Sequence, residues 1–363
     1  GTVQNDILKE FTSRGTYIYP VEPSLRLVTD LLAFCASEVP RWNSISISGY
    51  HMREAGATAA QEIAFTLANA REYVRRALAA GLELESFAPR LSFFFAAHND
   101  LFEEVAKFRA ARRLYARMMR EEFGASDRSC RLRFHTQTGG STLTAQQPLN
   151  NVVRVTVQAI AAVLGGTQSL HTNGYDEALN LPTAEAARLA LRTQQVLAEE
   201  SGVASTADPL GGSYYVETLT DKLEAQAVEY LERIEEIGAE GGEAEVIHFM
   251  SEEIHRAAYR YQLQVESGEQ RVVGVNVYTD EEESPRIELP DFGGLEAEQR
   301  RRLAEVKGRR DDAVVRRLLE AVAAAAAGGE NLLPPIIEAV RARATVGEIS
   351  DVLRDEWGRY QPA

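Results

Sequence analysis

A repeated unit of one strand followed by one helix most constrains what this sequence can fold into. Polar side chains follow short strand-like runs near residues 4, 50, 95, 137 and 172, about 35 to 46 residues apart. Each interval contains one helical pattern, which is typical of a parallel sheet with helical crossovers. A complete eightfold barrel needs roughly 250 residues. The sequence therefore predicts an α/β fold, a partial (β/α)8 TIM-type barrel of about five C-terminal units, with an open doubly wound sheet as the alternative.

The repeat stops after residue 212, where long helical patterns take over. We therefore expect two regions, 1–212 as the barrel part and 213–363 as a mainly helical scaffold and interface region. Inside the second region, the pattern favours a strand over Gln270–Tyr278. An acidic, proline-bearing linker follows over Thr279–Gly294, and one long helix over Leu295–Ala327.

The net charge of −15 disfavours nucleic acid as a partner. No apolar run is long enough to span a bilayer and no signal-peptide pattern opens the chain, so neither a membrane nor export is expected. With only two cysteines, Cys35 and Cys130, a reducing compartment such as the cytoplasm is favoured over a disulfide framework.

Three of the six histidines lie at the predicted strand ends, together with amides and one tyrosine. In an α/β barrel these ends face one pocket, so we expect their side chains to share a site. The strand-end residues are Gln4, Tyr50, His51, His135, Gln137, Gln168 and His171.

Zinc is a possible occupant of such a pocket, but strand-end carboxylates are scarce and glutamines are poor zinc ligands. General acid–base chemistry usually needs carboxylates or lysines, and Glu54 and Glu177 lie just beyond their strands. The pocket is rich instead in neutral hydrogen-bonding groups. This pattern favours a site that holds a reactive intermediate and shields it from side reactions.

Six long motifs carry a resemblance to a known family: GTVQNDILKEF, RWNSISISGYHMREAG, FAPRLSFFFAAHND, RFHTQTGG, LTAQQPLNN and GGTQSLHTNGYDEALNLPT. They resemble the adenosylcobalamin-dependent acyl-CoA mutases, most closely the large subunits of methylmalonyl-CoA mutases. The resemblance runs from Gly1 to about Gly212 almost without gaps. It implies a (β/α)8 barrel with acyl-CoA along its axis and adenosylcobalamin over the strand ends. It also implies an isomerase that interconverts methylmalonyl-CoA and succinyl-CoA by a radical rearrangement.

The resemblance also implies roles for single residues. His51 would hydrogen-bond the thioester carbonyl oxygen, and Tyr50 would pack on the substrate and press on the adenosyl group. The residues that would bind substrate are Thr2, Gln4, Arg14, Asn43, Arg90 and Ser92. The residues that would contact the cofactor are Glu54, His135, Gln137, Gly140, Gln168, Glu177 and Ala178.

Arg14 is the position that separates substrates within the family. In methylmalonyl-CoA mutases the matching arginine binds the free carboxylate of the substrate, a charge-assisted contact. The isobutyryl-CoA and hydroxyisobutyryl-CoA mutases have glutamine there. The resemblance therefore favours a dicarboxylic acyl-CoA, with ethylmalonyl-CoA and other branched acyl-CoAs as alternatives.

Two departures from the family pattern bear on partners. The Asp-x-His-x-x-Gly motif, whose histidine binds cobalt in the family, does not occur in this sequence. We therefore expect no metal ligand here, and a separate small cobalamin-binding subunit in a hetero-oligomer. The chain opens at Gly1 in what resembles a strand end, so we expect it to lack an N-terminal part and to be inactive alone. A piece that acts only in assembly is the alternative from another functional class.

Overall fold

The structure, a computed structural model, describes residues 1–280 and 292–361 of the 363-residue chain. Two compact units are present. The first comprises Gly1–Gly15 and Arg41–Ile287, and the second Thr16–Pro40 and Glu288–Ala363, apart from the residues just excluded. None of the described helices is both long enough and apolar enough to cross a bilayer.

Four strands and fourteen α-helices make up the described residues. The strands are β1 (Ile45–Ser48), β2 (Leu91–Ala97), β3 (Phe134–Thr138) and β4 (Ser169–His171). The helices are α1 (Ile7–Lys9), α2 (Val21–Glu38), α3 (Tyr50–Glu54), α4 (Ala59–Ala79), α5 (Leu84–Phe87), α6 (Leu101–Phe123), α7 (Asn150–Leu164), α8 (Ala184–Glu200), α9 (Tyr214–Gly241), α10 (Glu243–Ser267), α11 (Phe292–Arg309), α12 (Asp312–Ala327), α13 (Leu333–Arg341) and α14 (Val346–Trp357).

The four strands form one parallel sheet in the order β1-β2-β3-β4, with helices between successive strands. The predicted repeat and the mixed α/β class with a parallel sheet are thereby confirmed. This order has no reversal, as in a barrel, whereas a doubly wound sheet reverses at its switch point. The first predicted strand, which ends near residue 4, is reduced to an isolated bridge. It contributes a single parallel bridge, from Thr2 to Asn43 just before β1.

The two faces of the sheet differ in chemistry because side chains alternate along a strand and neighbours in register share a face. One face is aromatic and packs on α6. Phe93 lies 5.0 Å from the ring of Tyr115, and Phe134 stacks at 5.2 Å on Phe108. The opposite face is mostly polar or small. Its residues are Ser46, Ser48, Ser92, Phe94, Ala96, His135, Gln137, Ser169 and His171.

The C-terminal helices are divided between the two units. In the first unit α9 packs on α4 and α6, and α10 packs on α9. In the second unit α2 joins α11 to α14, and Arg26 of α2 donates to the carbonyl oxygens of Ala325 and Ala326, each at 2.7 Å. The division into functional regions 1–212 and 213–363 stays a prediction. The two compact units are defined by contacts between residues and do not test a functional division.

Two local predictions were wrong. The segment Gln270–Tyr278 forms turns with one bridge, because Gly274 and Tyr278 both adopt positive φ angles, which a strand does not use. The predicted helix over 295–327 is two helices, α11 and α12, since the Asp311 side chain caps α12 by accepting from Ala313 N at 2.9 Å. Most of the predicted linker 279–294 lies outside the described residues.

Gly49 joins β1 to α3, where no side chain fits. A Cβ there would lie 2.4 Å from Thr66 Oγ1 and 2.7 Å from Glu62 Cγ, both on α4. We expect Gly49→Ala to lower the free energy of unfolding by about 1–3 kcal/mol through overpacking. Urea unfolding measures this change. As the control, Gly308→Ala on exposed α11, where a Cβ would meet nothing within 4 Å, should stabilise slightly. Equal effects at both positions would contradict this steric account.

Candidate active site

A cluster of aromatic and imidazole rings lies at the junction between the end of β1 and the start of α3. Tyr50, the first residue of α3, stacks on Phe94 of β2 with ring centroids 4.6 Å apart and planes 4° apart. His51 lies edge-on to both, at 5.4 Å and 5.8 Å. On the other side of Phe94, the imidazole of His135 is 5.2 Å away. The structure therefore brings two of the predicted site histidines to opposite sides of one phenylalanine on the polar face.

His51 is held as a neutral imidazole. Its Nδ1 lies 2.8 Å from Ser48 Oγ, and the other ring nitrogen has no hydrogen-bond partner among residues 1–280 and 292–361. Burial, with the nearby charges of Lys9 and Arg14, lowers the pKa of His51 from 6.5 to about 4. At neutral pH this side chain therefore offers a hydrogen bond without carrying a charge.

Arg14 lies at the end of a π-helical turn, Glu10–Arg14, which continues from α1. Short π-helical segments are frequent at functional sites. The turn is closed by Gly15 in a left-handed conformation, φ 74°, whose N–H donates to Glu10 O at 2.8 Å. Arg14 Nη1 lies 3.5 Å from Glu10 Oε1, and 54% of the side chain is exposed. The turn packs against α3, which carries His51, and the charge of Arg14 contributes to the lowered pKa of that imidazole.

A second group of predicted residues meets at the carboxyl edge of the sheet. Gln137 Nε2 donates to Asn173 Oδ1 at 2.9 Å, and Asn173 Nδ2 donates to Thr138 O at 2.9 Å. Asn173 and the backbone of Gly140 also reach the Tyr50 hydroxyl. Burial, and next the charge of Glu54, raise the pKa of Tyr50, so the phenol stays protonated. This edge thus presents amides and a phenol in one hydrogen-bonded set.

Two carboxyl groups adjoin that set. Glu54 accepts from Ser141 N at 2.8 Å, and burial raises its pKa from 4.5 to about 7 despite this bond. Although the Glu177 residue is largely exposed, partial burial of its carboxyl also raises its pKa, with a contribution from the charge of Asp176. The Glu54 carboxyl can therefore carry a proton near neutral pH and donate a hydrogen bond as well as accept one. The buried Nε2 atom of His98 has no hydrogen-bond partner within residues 1–280 and 292–361, and it lies 3.8 Å from Glu54 Oε1.

The raised pKa of Glu54 predicts the direction in which the free energy of unfolding changes with pH. Well below pH 4.5 the Glu54 carboxyl is neutral in both the folded and the unfolded state, so it does not change the free energy of unfolding. As the pH rises above 4.5 the unfolded state ionises first, and above pH 7 the folded state must hold a buried charge near Glu177 and Glu62. We expect Glu54→Gln to be more stable than the parent by up to about 2 kcal/mol at pH 8, with only a small difference near pH 4.5.

Urea unfolding at several pH values between 4.5 and 8 measures this difference. The control is Glu85→Gln, because hydrogen bonds from Ser126 lower the pKa of Glu85, which therefore stays ionised throughout most of that range. Its difference from the parent should not grow between pH 5.5 and 8. A constant difference for Glu54→Gln as well would contradict the assignment.

The predicted substrate residues continue toward the amino edge of the sheet. Thr2 Oγ1 accepts from Asn43 Nδ2 at 2.9 Å, and Ser92 Oγ donates to Ile45 O at 2.6 Å. Arg90 directly precedes β2. Gln4 is exposed on the segment that runs beside β1 from Thr2 toward Asp6. At about 3.3 Å per residue, the polar face extends roughly 15–20 Å between the two edges, which suits a long, narrow ligand.

Gln168 is not brought to the carboxyl edge. It precedes β4, its Oε1 accepts from Phe134 N at 2.6 Å, and its Nε2 donates to Gly166 O at 3.0 Å. The prediction that put Gln168 at a strand end was wrong about its location, because β4 begins only at Ser169. Its amide closes the turn at the amino end of β4.

Other predicted and unpredicted residues complete the site. His171 ends β4 and is exposed, and Glu177 and Ala178 lie exposed in the turn that follows. Sequence reasoning missed Ser48 and Asn173, although both occur within the quoted motifs beside predicted residues. No group of three or more histidine, cysteine, aspartate or glutamate side chains within residues 1–280 and 292–361 is arranged to hold a metal ion.

Comparison with known proteins decides the family. A family model described as methylmalonyl-CoA mutase matches residues 1–359. The chain belongs to this family. It is 50% identical to the methylmalonyl-CoA mutase of Rhizobium meliloti, and 49% identical to that of Escherichia coli, over 99% of its length in both cases. It is also 49% identical, again over 99% of its length, to the 2-hydroxyisobutanoyl-CoA mutase large subunit of Aquincola tertiaricarbonis.

The resemblance read from the sequence motifs is confirmed by these matches. The chain covers 51% and 50% of the first two relatives and 65% of the third, so it spans about half to two-thirds of their length. The relatives establish an acyl-CoA mutase family. The names of these relatives include two different substrates, so membership of the family alone does not select between them.

Proposed function

We propose that this chain is the large catalytic subunit of an adenosylcobalamin-dependent mutase that interconverts methylmalonyl-CoA and succinyl-CoA. The observation that carries the proposal is the packing of the π-helical turn that ends in Arg14 against α3, which carries the neutral imidazole of His51, at one end of a long polar sheet face. An acyl-CoA with a free carboxylate has matching groups: a thioester oxygen, an anion close to it, and a long pantetheine arm.

In this proposal His51 donates a hydrogen bond from Nε2 to the thioester carbonyl oxygen. A neutral donor suits this role because it stabilises charge that develops on the oxygen without delivering a proton. The stack of Tyr50 on Phe94 closes one side of the space and keeps water away from the reacting carbons.

In this proposal Arg14 binds the substrate carboxylate. Before substrate arrives, the carboxylate of Glu10 pairs with the guanidinium of Arg14. The distance of 3.5 Å between Arg14 Nη1 and Glu10 Oε1 is an ion pair but not a tight hydrogen bond. A substrate carboxylate can form two shorter charge-assisted bonds with the same guanidinium. At the other end, Thr2, Asn43, Arg90 and Ser92 line the path of the CoA arm, and Gln4 lies between the two ends.

The carboxyl edge has a donor set that fits the adenosyl and corrin groups of adenosylcobalamin. A phenol, an amide and the Glu54 carboxyl offer both donors and acceptors for ribose hydroxyls and corrin amides, and the Glu177 carboxyl adds acceptor oxygens. Gly140 packs so closely that an added Cβ would lie 3.0 Å from Glu54 Oε2. The residues that would hold the cofactor are Tyr50, Glu54, His135, Gln137, Gly140, Asn173, Glu177 and Ala178. When bound, the cofactor supplies the radical that starts the carbon-skeleton rearrangement.

The cobalt ligand in this proposal comes from a small cobalamin-binding subunit, which makes the enzyme a hetero-oligomer. Support comes from the large-subunit names of two relatives, one from Aquincola tertiaricarbonis and one from Streptomyces virginiae. Because the chain spans only part of its relatives, turnover is proposed for the complete assembly. We call this the assembled mutase: the chain, polypeptide corresponding to the unmatched part of the relatives, the small subunit and adenosylcobalamin. A cytoplasmic location stays a prediction.

A mutase for another branched acyl-CoA is the second candidate. The match to a 2-hydroxyisobutanoyl-CoA mutase large subunit at 49% identity favours keeping it. Arg14 argues against it, since a substrate without a second carboxylate offers no anionic group to this guanidinium, which pairs with Glu10 at 3.5 Å. An assembly piece without turnover is the candidate from another class.

Reconstitution tests the proposed function. The assembled mutase is expected to convert methylmalonyl-CoA to succinyl-CoA, and omission of either adenosylcobalamin or the small subunit should abolish the conversion. Product formation is followed by chromatography of the CoA esters. Absence of conversion for every acyl-CoA, with all parts present and bound, would favour the assembly role.

A further inference from the structure

The buried hydroxyl of Ser48 lies directly behind His51. Ser48 is the last residue of β1 and only 2% exposed. Its Oγ is 2.8 Å from His51 Nδ1, and within residues 1–280 and 292–361 this is the one hydrogen bond that its hydroxyl makes. The two atoms share a single hydrogen bond, so only one of them contributes the hydrogen.

The direction of this bond follows from the surroundings. If His51 Nδ1 carried the hydrogen, the Ser48 hydroxyl hydrogen would be buried with no acceptor among the described residues, which native structures rarely tolerate. If Ser48 donates, both groups are satisfied. A neutral imidazole that accepts at Nδ1 carries its hydrogen on Nε2.

Ser48 itself is held in place by its backbone. Its N–H donates to Asp6 Oδ2 at 2.7 Å, and the other carboxylate oxygen accepts from the Tyr73 hydroxyl at 2.6 Å. Tyr73 in turn accepts from Leu8 N at 3.0 Å, and Asp6 is 1% exposed. The serine hydroxyl is thus presented from a fixed backbone position, unlike a hydroxyl on a mobile loop.

We propose that Ser48 is a positioning residue that donates to His51 Nδ1 and so fixes the tautomer whose Nε2–H points to the ligand. That the ligand is an acyl-CoA thioester rests on the proposed function; the tautomer itself does not. The charged groups that act on His51 are Lys9, Arg14 and Glu10. None of them bonds to Nδ1, so the tautomer is set by the serine.

Nitrogen-15 NMR of the full chain, labelled at histidine, tests the proposal. The chain has six histidines, and His51→Gln identifies the His51 signals by their loss. In the parent we expect His51 to show a hydrogen on Nε2 and none on Nδ1 at pH 7. Ser48→Ala should move both shifts toward those of an imidazole that exchanges between tautomers, and Ser48→Thr, which keeps the hydroxyl, should restore them. Ser46→Ala, on the same face of β1, is the matched control and should change nothing.

A parent spectrum with the hydrogen on Nδ1, or a Ser48→Ala spectrum equal to that of the parent, overturns the proposal. In the assembled mutase we expect Ser48→Ala to lower kcat roughly tenfold, because the imidazole is no longer held in the tautomer that donates from Nε2, with little change in KM. If parent and variants all lack turnover while the NMR result holds, the proposed function is wrong and the tautomer assignment stands.

Discussion

Replacing Arg14 with glutamine is expected to lower kcat/KM of the assembled mutase for methylmalonyl-CoA about 100-fold, because the substrate carboxylate loses its charge-assisted partner. Glutamine keeps a polar side chain of similar length but carries no charge. Since 54% of the Arg14 side chain is exposed, the free energy of unfolding should change by less than about 0.5 kcal/mol. Steady-state kinetics and urea unfolding measure the two quantities.

The control for this variant is a substrate without the second carboxylate. With isobutyryl-CoA, the Arg14→Gln variant and the parent should differ by less than about threefold, since the guanidinium has nothing to bind. CoA alone should bind both proteins equally. Equal losses for the two substrates would mean that Arg14 acts through the fold and not through the carboxylate.

Replacing Lys107 with methionine is expected to give the largest loss of stability, about 3–5 kcal/mol, because it leaves a buried negative charge unpaired. Lys107 is completely buried, and its Nζ donates to Glu62 Oε2 and to Ala96 O, each at 2.7 Å, and also to Glu104. Ala96 N donates back to Glu62 Oε1 at 2.7 Å. The cluster therefore holds the carboxyl end of β2, next to the stacked rings.

The charge balance of the Lys107 cluster allows a test of whether an unpaired buried charge causes the loss of stability. Two cations, Lys107 and Arg53, face two buried carboxylates, Glu62 and Glu104, and Arg53 also pairs with the partly exposed Glu103. Adding Glu104→Gln to Lys107→Met removes one buried negative charge together with the buried positive one and should recover part of the lost stability in urea unfolding. The exposed Lys222→Met is the matched control and should stay within about 0.5 kcal/mol of the parent. A double variant less stable than the single one would contradict the charge argument.

Much of the first compact unit, which contains the sheet, could be predicted because the sequence patterns that indicate its strands and helices are local. The strand-like runs near residues 50, 95 and 137 predicted β1, β2 and β3. Gly124 ends α6 in the left-handed conformation, which is typical of a glycine that follows a helix. These signals depend only on neighbours in sequence, so the strand-then-helix repeat was visible without any contact information.

The grouping of α2 with the C-terminal helices could not be predicted in this way. The contacts that define this grouping, such as the hydrogen bond from Arg26 to Ala325, join residues about 300 positions apart. Such contacts produce no periodic pattern in the amino-acid sequence. The wrong location of Gln168 has a similar cause. Its motif reads as continuous strand, and only the pairing of β3 with β4 shows that the strand starts one residue later.

The candidate site was predicted in composition but not in arrangement. Tyr50, His51 and Gln137 were recognised by residue type and motif. Ser48 and Asn173 were not, because a serine in a strand and an asparagine in a turn are unremarkable until the register places them against His51 and Gln137. Strand register is set by tertiary pairing, which a single sequence does not display.

The substrate preference of the assembled mutase tests the central claim most directly. We predict that kcat/KM for methylmalonyl-CoA exceeds that for isobutyryl-CoA by at least about 100-fold, because Arg14 pairs with the carboxylate that only the first substrate carries. Equal values, or a preference for isobutyryl-CoA, would contradict the account of a dicarboxylic acyl-CoA site built around Arg14 and His51.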